Sequence, residues 1–263
     1  RVKRAASPCF PIFCSMLKTR IIPCLTIKHH RLVKSVRFRE HRNIGSYIAA
    51  ARVFNARDVD EMIILDLDAA EGGVNPELLQ EIAKECFMPL TLGGGVKTTD
   101  DIRLLLRLGA DKIAMNTAAF RVPSLITRAA REFGSQCVVV SIDAQKKDGR
   151  YRVVIDGGRE ETALSPVAWA REAEARGAGE LFLTSIDRDG MMQGYDYELL
   201  REVTEAVGIP VIACGGAGSA DDCLQAVTCG ASAVAAASIF QYTEITPKDI
   251  KRRLVAEGVA TRL

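Results

Sequence analysis

Residues 90–120 of this chain recur, 121 positions later, as residues 211–241. Gly94 and Gly95 fall on Gly215 and Gly216, Asp100 and Asp101 on Asp221 and Asp222, and Thr117 on Ser238. The same offset carries Asp66 and Asp68 onto Asp187 and Asp189. A repeat of this length constrains the fold more than any local propensity, because both copies must adopt one structure and bury one kind of face. Each copy reads as a strand, a glycine turn, a helix and a second strand.

Eight near-continuous apolar runs, at 20–27, 61–68, 89–93, 112–116, 137–144, 180–187, 210–214 and 233–238, read as strands buried on both faces. Helical patterns separate them at 47–57, 76–86, 99–108, 123–133, 166–176, 197–207, 220–229 and 247–257. Several open with proline, which the first helical turn tolerates. Thr98 or Thr99 and Ser219 stand ahead of acidic pairs that suit the positive end of a helix dipole. This alternation predicts an α/β fold, a single (β/α)8 TIM barrel with a two-fold half-barrel repeat. An open doubly wound sheet is the alternative, but two matched halves close symmetrically. Two segments interrupt the pattern after a strand. Residues 28–42 form a long basic loop, and residues 146–162 read as an inserted hairpin. Both fall at C-terminal strand ends, where barrel enzymes build their sites.

The first fifteen residues differ from the rest, with three bases, no acid and two prolines. They are expected to be an extension ahead of a start at Met16, with residues 16–263 forming the barrel. Without them the formal charge of +2 turns to 33 acids against 32 bases, so the basic balance is no argument for nucleic acid. No apolar run approaches the roughly 20 residues that a membrane helix needs. The eight cysteines include no C-x-x-C pair and read as small buried hydrophobes of a reducing, cytoplasmic compartment, not as disulfides or metal ligands.

Candidate chemistry sits at the strand ends. Gly94-Gly95 and Gly215-Gly216 each follow a strand and lead into a helix, where glycine lets backbone N–H groups approach an anion. Asn116-Thr117 and Ser238 close the next strand of each half. The two sets read as two phosphate cradles on opposite sides of one mouth, although a glycine after a strand also makes an ordinary turn. Asp66, Asp143 and Asp187 terminate apolar strands, with Asp68 and Asp189 two residues beyond the first and last. Such carboxylates serve as turn formers or as general acids and bases; Asp143 is the strongest catalytic candidate, having no helix to cap. His29, His30 and His41 lie in the basic loop and are read as covering phosphate. No metal or cofactor is expected. At the opposite pole Arg20, Glu61, Lys112 and Glu180 open four different strands. They are either four solvated ends or a ring of two bases and two acids closing the barrel bottom.

From about Arg20 to Leu263 the chain resembles the cyclase subunit of imidazole glycerol phosphate synthase. The resemblance runs through RIIPCL, RLVKS, DEMIILDLDA, TLGGGV, GADKIAMNTAA, CVVVSIDA, LFLTSIDRDG, CGGAG and AAASIF. It implies a barrel that receives ammonia from a separate glutaminase through a charged gate, at which Arg20, Glu61, Lys112 and Glu180 match all four positions. It implies one phosphate site at Gly95, Asn116 and Thr117, another at Gly216 and Ser238, and a substrate-side lysine at Lys34. Asp143 matches one of the family's two catalytic aspartates, and Asp187, in the matching SIDRDG stretch, is expected among the substrate-binding residues.

The chain departs from the family at three places. Thr26 stands where the other catalytic aspartate is expected. HHRLVKS replaces DGRVVKG, and Met191 replaces a threonine. A threonine hydroxyl does not ionise near neutral pH and cannot replace a carboxylate in proton transfer. Three functions follow as expectations. The first is implied by a resemblance to the family's second copies, which work with a second glutaminase in bacterial surface-polysaccharide synthesis: an ammonia-channelling subunit for amidation of a sugar, forming an acetamidino group. The second is a true histidine-pathway cyclase. The third is a non-catalytic partner that only activates the glutaminase.

Overall fold

The computed structural model describes residues 18–57 and 59–262. The expected extension at residues 1–15, with Cys9 and Cys14, and the start at Met16 lie outside the described residues.

The chain opens with strand β1 (Arg20–Lys28), then β2 (Arg31–Val36), β3 (Arg39–Gly45) and helix α1 (Tyr47–Asn55). Next come β4 (Met62–Asp66), α2 (Ala69–Gly72), α3 (Pro76–Glu85), β5 (Leu90–Gly93), α4 (Thr99–Arg107) and β6 (Lys112–Met115). The middle holds α5 (Thr117–Arg121), α6 (Ser124–Phe133), β7 (Val138–Lys147), β8 (Arg150–Ile155), β9 (Glu160–Glu161) and α7 (Pro166–Ala175). The chain ends with β10 (Glu180–Ser185), α8 (Tyr197–Thr204), β11 (Val211–Cys214), α9 (Ala220–Thr228), β12 (Ala233–Ala236), α10 (Ser238–Tyr242) and α11 (Pro247–Ala256).

Parallel pairing runs β10-β11-β12-β1-β4-β5-β6-β7, and β7 pairs back onto β10 from Val139↔Glu180 to Ala144↔Ser185. That last ladder closes the sheet into a (β/α)8 barrel and removes the open-sheet alternative. Residues along each strand alternate between two cores. On β1, Ile22 and Cys24 face the lumen while Ile21 and Leu25 face the helices. The lumen is filled by Ile22, Cys24, Ile63, Ala114, Val139, Phe182, Ile212, Ala233 and Ala235. Because both faces are buried, the strands read as apolar runs. Each large aliphatic side chain so buried contributes about 1.5–3 kcal/mol.

The repeat is visible in the helix starts. Thr98 with Asp101 and Ser219 with Asp222 form capping boxes at equivalent positions of α4 and α9. Pro76, Pro166 and Pro247 occupy the first helical turn, whereas Pro123 stands one residue ahead of α6. The cysteines within the described residues are free, and Cys24, Cys137, Cys223 and Cys229 are buried. No described helix is long and apolar enough to cross a membrane.

Residues 28–42 are not a loop. They continue β1 into an antiparallel sheet with β2 and β3, turning at His29-His30 and again at Arg37-Phe38. Both turns take positive φ, which hairpin rules reserve for Asn and Gly, so neither announces itself in the residue types. Residues 146–162 form the inserted hairpin as expected, from β7, β8 and β9.

Candidate functional site

At the strand-start pole the four charged residues form one closed cluster. Arg20 Nη1 lies 2.6 Å from Glu61 Oε2, and Nη2 pairs with Glu180. Lys112 Nζ lies 2.9 Å from Glu61 Oε2 and 2.8 Å from Glu180 Oε2. Each acid meets both bases, the set is neutral, and the Glu61 side chain is 2% exposed. Burial works against the Glu61 carboxylate, but the charges of Lys112 and Arg20 outweigh it and hold its pKa below the ordinary value. The reading of four solvated ends is thereby removed. The structure adds Thr91, whose hydroxyl donates to Glu61 Oε1 at 2.7 Å. The one sequence signal for it is a lone hydroxyl within an apolar strand.

At the mouth Asp143 continues the inward face of β7 and is 8% exposed. Asn116 Nδ2 donates to its Oδ2 at 2.8 Å, and Thr184 also bonds it. Burial, then the charge of Asp189, push its pKa up to about 7 against those two bonds. A carboxyl balanced near neutrality exchanges protons readily in both directions. Thr26 follows Cys24 on the inward face of β1, paired with Leu65 of β4 and Val33 of β2. Lys34, on β2, reaches the mouth closely enough for its charge to act on Asp189, Cys24 and Cys214.

Asp66 and Asp187 do not join Asp143. Ile63 faces the lumen, so alternation along β4 turns Asp66 outward, where its Oδ1 accepts from the Asp68 amide at 3.0 Å. Asp187 Oδ2 accepts from the Lys146 amide at 2.7 Å. The first holds the turn after its own strand, and the second ties the segment after β10 to β7. Asp189 is the acid whose charge acts on Asp143, and its own pKa is raised by burial.

The glycine loops are dictated by close packing. Gly94 has φ 117° and a Cβ there would lie 2.1 Å from the Asp66 carbonyl oxygen; Gly216 has φ 111° and a Cβ would lie 2.2 Å from that of Gly194. Gly95 and Gly215 adjoin them with positive φ. Thr117 and Ser238 begin two short helices at repeat-related positions, and no side chain caps either one. The Thr117 hydroxyl accepts from the Asp156 amide at 2.9 Å, so a polar chain runs from the β8 turn through Thr117 and Asn116 to Asp143. Among the described residues, no group of three or more His, Cys, Asp and Glu side chains is placed to hold a metal ion. Beside the mouth a cavity of about 470 Å³ opens between Ile27, His30, Asp66, Asp68 and Leu78.

A sealed charged pole, an apolar lumen and a polar rim define a (β/α)8 barrel of the kind that builds its site on strand-end loops. The family profile for histidine biosynthesis proteins matches residues 20–246. Over 249 residues the chain is 47% identical to a Campylobacter jejuni protein named as a candidate imidazole glycerol phosphate synthase subunit hisF2, an alignment covering 94% of this chain and 100% of that relative. The chain belongs to the histidine biosynthesis protein family and, within it, to the second-copy relatives of the imidazole glycerol phosphate synthase cyclase subunit.

Proposed function

We propose that this chain is the synthase subunit of a two-protein amidotransferase. A partner glutaminase docks at the strand-start pole, ammonia passes the charged ring and the lumen, and it is added to a phosphorylated acceptor at the mouth. One observation carries the reading: the four ring charges are all present and paired, while Thr26 stands where the resemblance to the cyclase subunit implies the second catalytic acid. Loss of a general acid or base commonly costs about 10²–10⁴ in rate. A retained gate above an incomplete ring-closing pair favours the paralogue that amidates a sugar for surface polysaccharide over the histidine-pathway cyclase. The acceptor's phosphate groups fit the rim at Gly94, Gly95, Asn116 and Thr117 on one side and Gly215, Gly216 and Ser238 on the other. Lys34 faces them from β2, and Asp143 serves as the proton carrier.

Complementation tests it. In a histidine auxotroph that lacks its cyclase subunit but keeps the glutaminase, this chain is expected to fail, and Thr26→Asp to restore growth. Growth supported by the unaltered chain makes it a cyclase and sinks the sugar reading.

The docking face makes a second expectation. Phe87 is 81% exposed between α3 and β5, on the same pole as the ring. Truncating an apolar interface anchor typically costs 1–2 kcal/mol or more. Phe87→Asp is therefore expected to weaken glutaminase binding about tenfold or more by titration calorimetry, with the thermal midpoint of the isolated barrel unchanged.

A further inference from the structure

The half-barrel repeat gives two aspartates to which the proposed chemistry assigns no proton transfer, although the charge of Asp189 acts on Asp143. Asp68 follows β4 and Asp189 follows β10, one repeat apart. Four steps around the eight-stranded ring separate β4 from β10, so the two loops stand on opposite sides of the mouth. Each holds one end of β2. At its start, the His29 amide donates to Asp68 Oδ2 and His29 Nδ1 lies 3.4 Å from Oδ1. At its end, the Ser35 hydroxyl donates to Asp189 Oδ2 at 3.2 Å, the Phe38 amide bonds the same carboxylate, and the Arg37 amide donates to the Asp189 carbonyl at 2.9 Å.

The backbone at both ends needs such support. His29, His30, Arg37 and Phe38 have φ of 50°, 54°, 53° and 61°. Left-handed backbone is costly for residues with a Cβ and persists where surrounding contacts impose it. At the Asp189 end the fit is close: a Cβ on Gly190 would lie 2.3 Å from the Ser35 carbonyl oxygen. The six residues of β2 span about 20 Å at the usual rise of a strand, and the bonds at the two ends of this segment reach both loops. Lys34 lies within that span.

We propose that Asp68 and Asp189 are positioning residues, paired clips at the two ends of β2 that hold it as a bar across the mouth and so keep Lys34 turned inward. The partner of each clip is a departure from the related cyclases: His29 and His30 stand where DGRVVKG has Asp-Gly, and Ser35 replaces its last glycine, bringing a hydroxyl that glycine lacks. The function assigned to Lys34 rests on the ammonia-transfer reading; the clips do not.

Two measurements on the isolated barrel, with no glutaminase or acceptor present, test the clips separately from that reading. The first is amide hydrogen exchange over residues 31–45. The second is the rate at which an acylating reagent modifies the Lys34 amine. A hydrogen bond to a carboxylate is worth enough to change a local opening equilibrium about tenfold. Asp68→Asn, Asp189→Asn and Ser35→Ala are each expected to raise exchange and Lys34 modification about tenfold, while Ser35→Thr keeps the original rates. Ser35→Ala removes one hydroxyl and serves if an aspartate variant does not fold. Unchanged exchange in Ser35→Ala, or faster exchange with Lys34 modification unmoved, overturns the proposal. So does a segment that already exchanges at the unprotected rate in the unaltered chain.

Discussion

Replacing Asp143 by asparagine is expected to lower the glutamine-dependent output of the complex by about 10²–10⁴ and, at the same time, to stabilise the barrel above neutral pH. The loss follows from removing the proton carrier at the mouth. The gain follows from linkage. Burial and the charge of Asp189 lift the Asp143 pKa from 3.8 to about 7. Between those values the folded chain holds a proton that the unfolded chain has released. Stability from this group therefore falls as pH rises from about 4 and reaches its full cost above about 7, on the order of a few kcal/mol. Asparagine does not titrate, and its oxygen still accepts the bond from Asn116 Nδ2. Thermal midpoints of the two proteins from pH 5 to pH 9 are expected to diverge in favour of Asp143→Asn as pH rises. A difference that stays constant with pH means that Asp143 is not the buried group that titrates.

Lys112→Met is expected to cost about 3 kcal/mol of stability, because it leaves Glu61 and Glu180 sharing the single guanidinium of Arg20. The adverse term is the uncompensated buried charge, more than the lost contact. Removing an acid with the base restores neutrality, so the double variant Lys112→Met with Glu61→Gln is expected to cost less than the sum of the two single changes. Urea unfolding of the four proteins measures the coupling. Strict additivity sinks the view that the charges form one neutral unit. Within the ammonia reading, the same variants open the strand-start end and uncouple glutaminase turnover from product formation.

Much of the architecture is legible in the residues because it depends on periodicity. The 121-residue offset, the apolar runs and the helix-starting Thr98 and Ser219 are all read directly along the chain, and the structure keeps each of them. The place of Asp143 at the mouth is legible too, since it closes an apolar run at a C-terminal strand end with no helix to cap. Asp66 and Asp187 show where such reading stops. They end apolar runs just as Asp143 does, but one is turned outward by alternation along β4 and the other by the course of the chain beyond β10, and they accept from the backbone amides of Asp68 and Lys146. The antiparallel bar at β2 was hidden because its turns use His-His and Arg-Phe in backbone that rules of residue type assign to glycine and asparagine.

By itself the sequence determined a two-fold barrel with charged residues at one pole and glycine loops at the other, since period and residue type along the chain suffice for that. Tertiary structure decided which groups meet. Arg20 and Glu180 are 160 residues apart, as Ser35 and Asp189 are 154 apart, and no local signal says that they touch. Closing the ring of strands brings them together. Burial raises both carboxyls, but at Glu61 the charges of Lys112 and Arg20 overcome it and hold the pKa down, while Asp143, beside Asp189 and no base, is lifted to the neutral range.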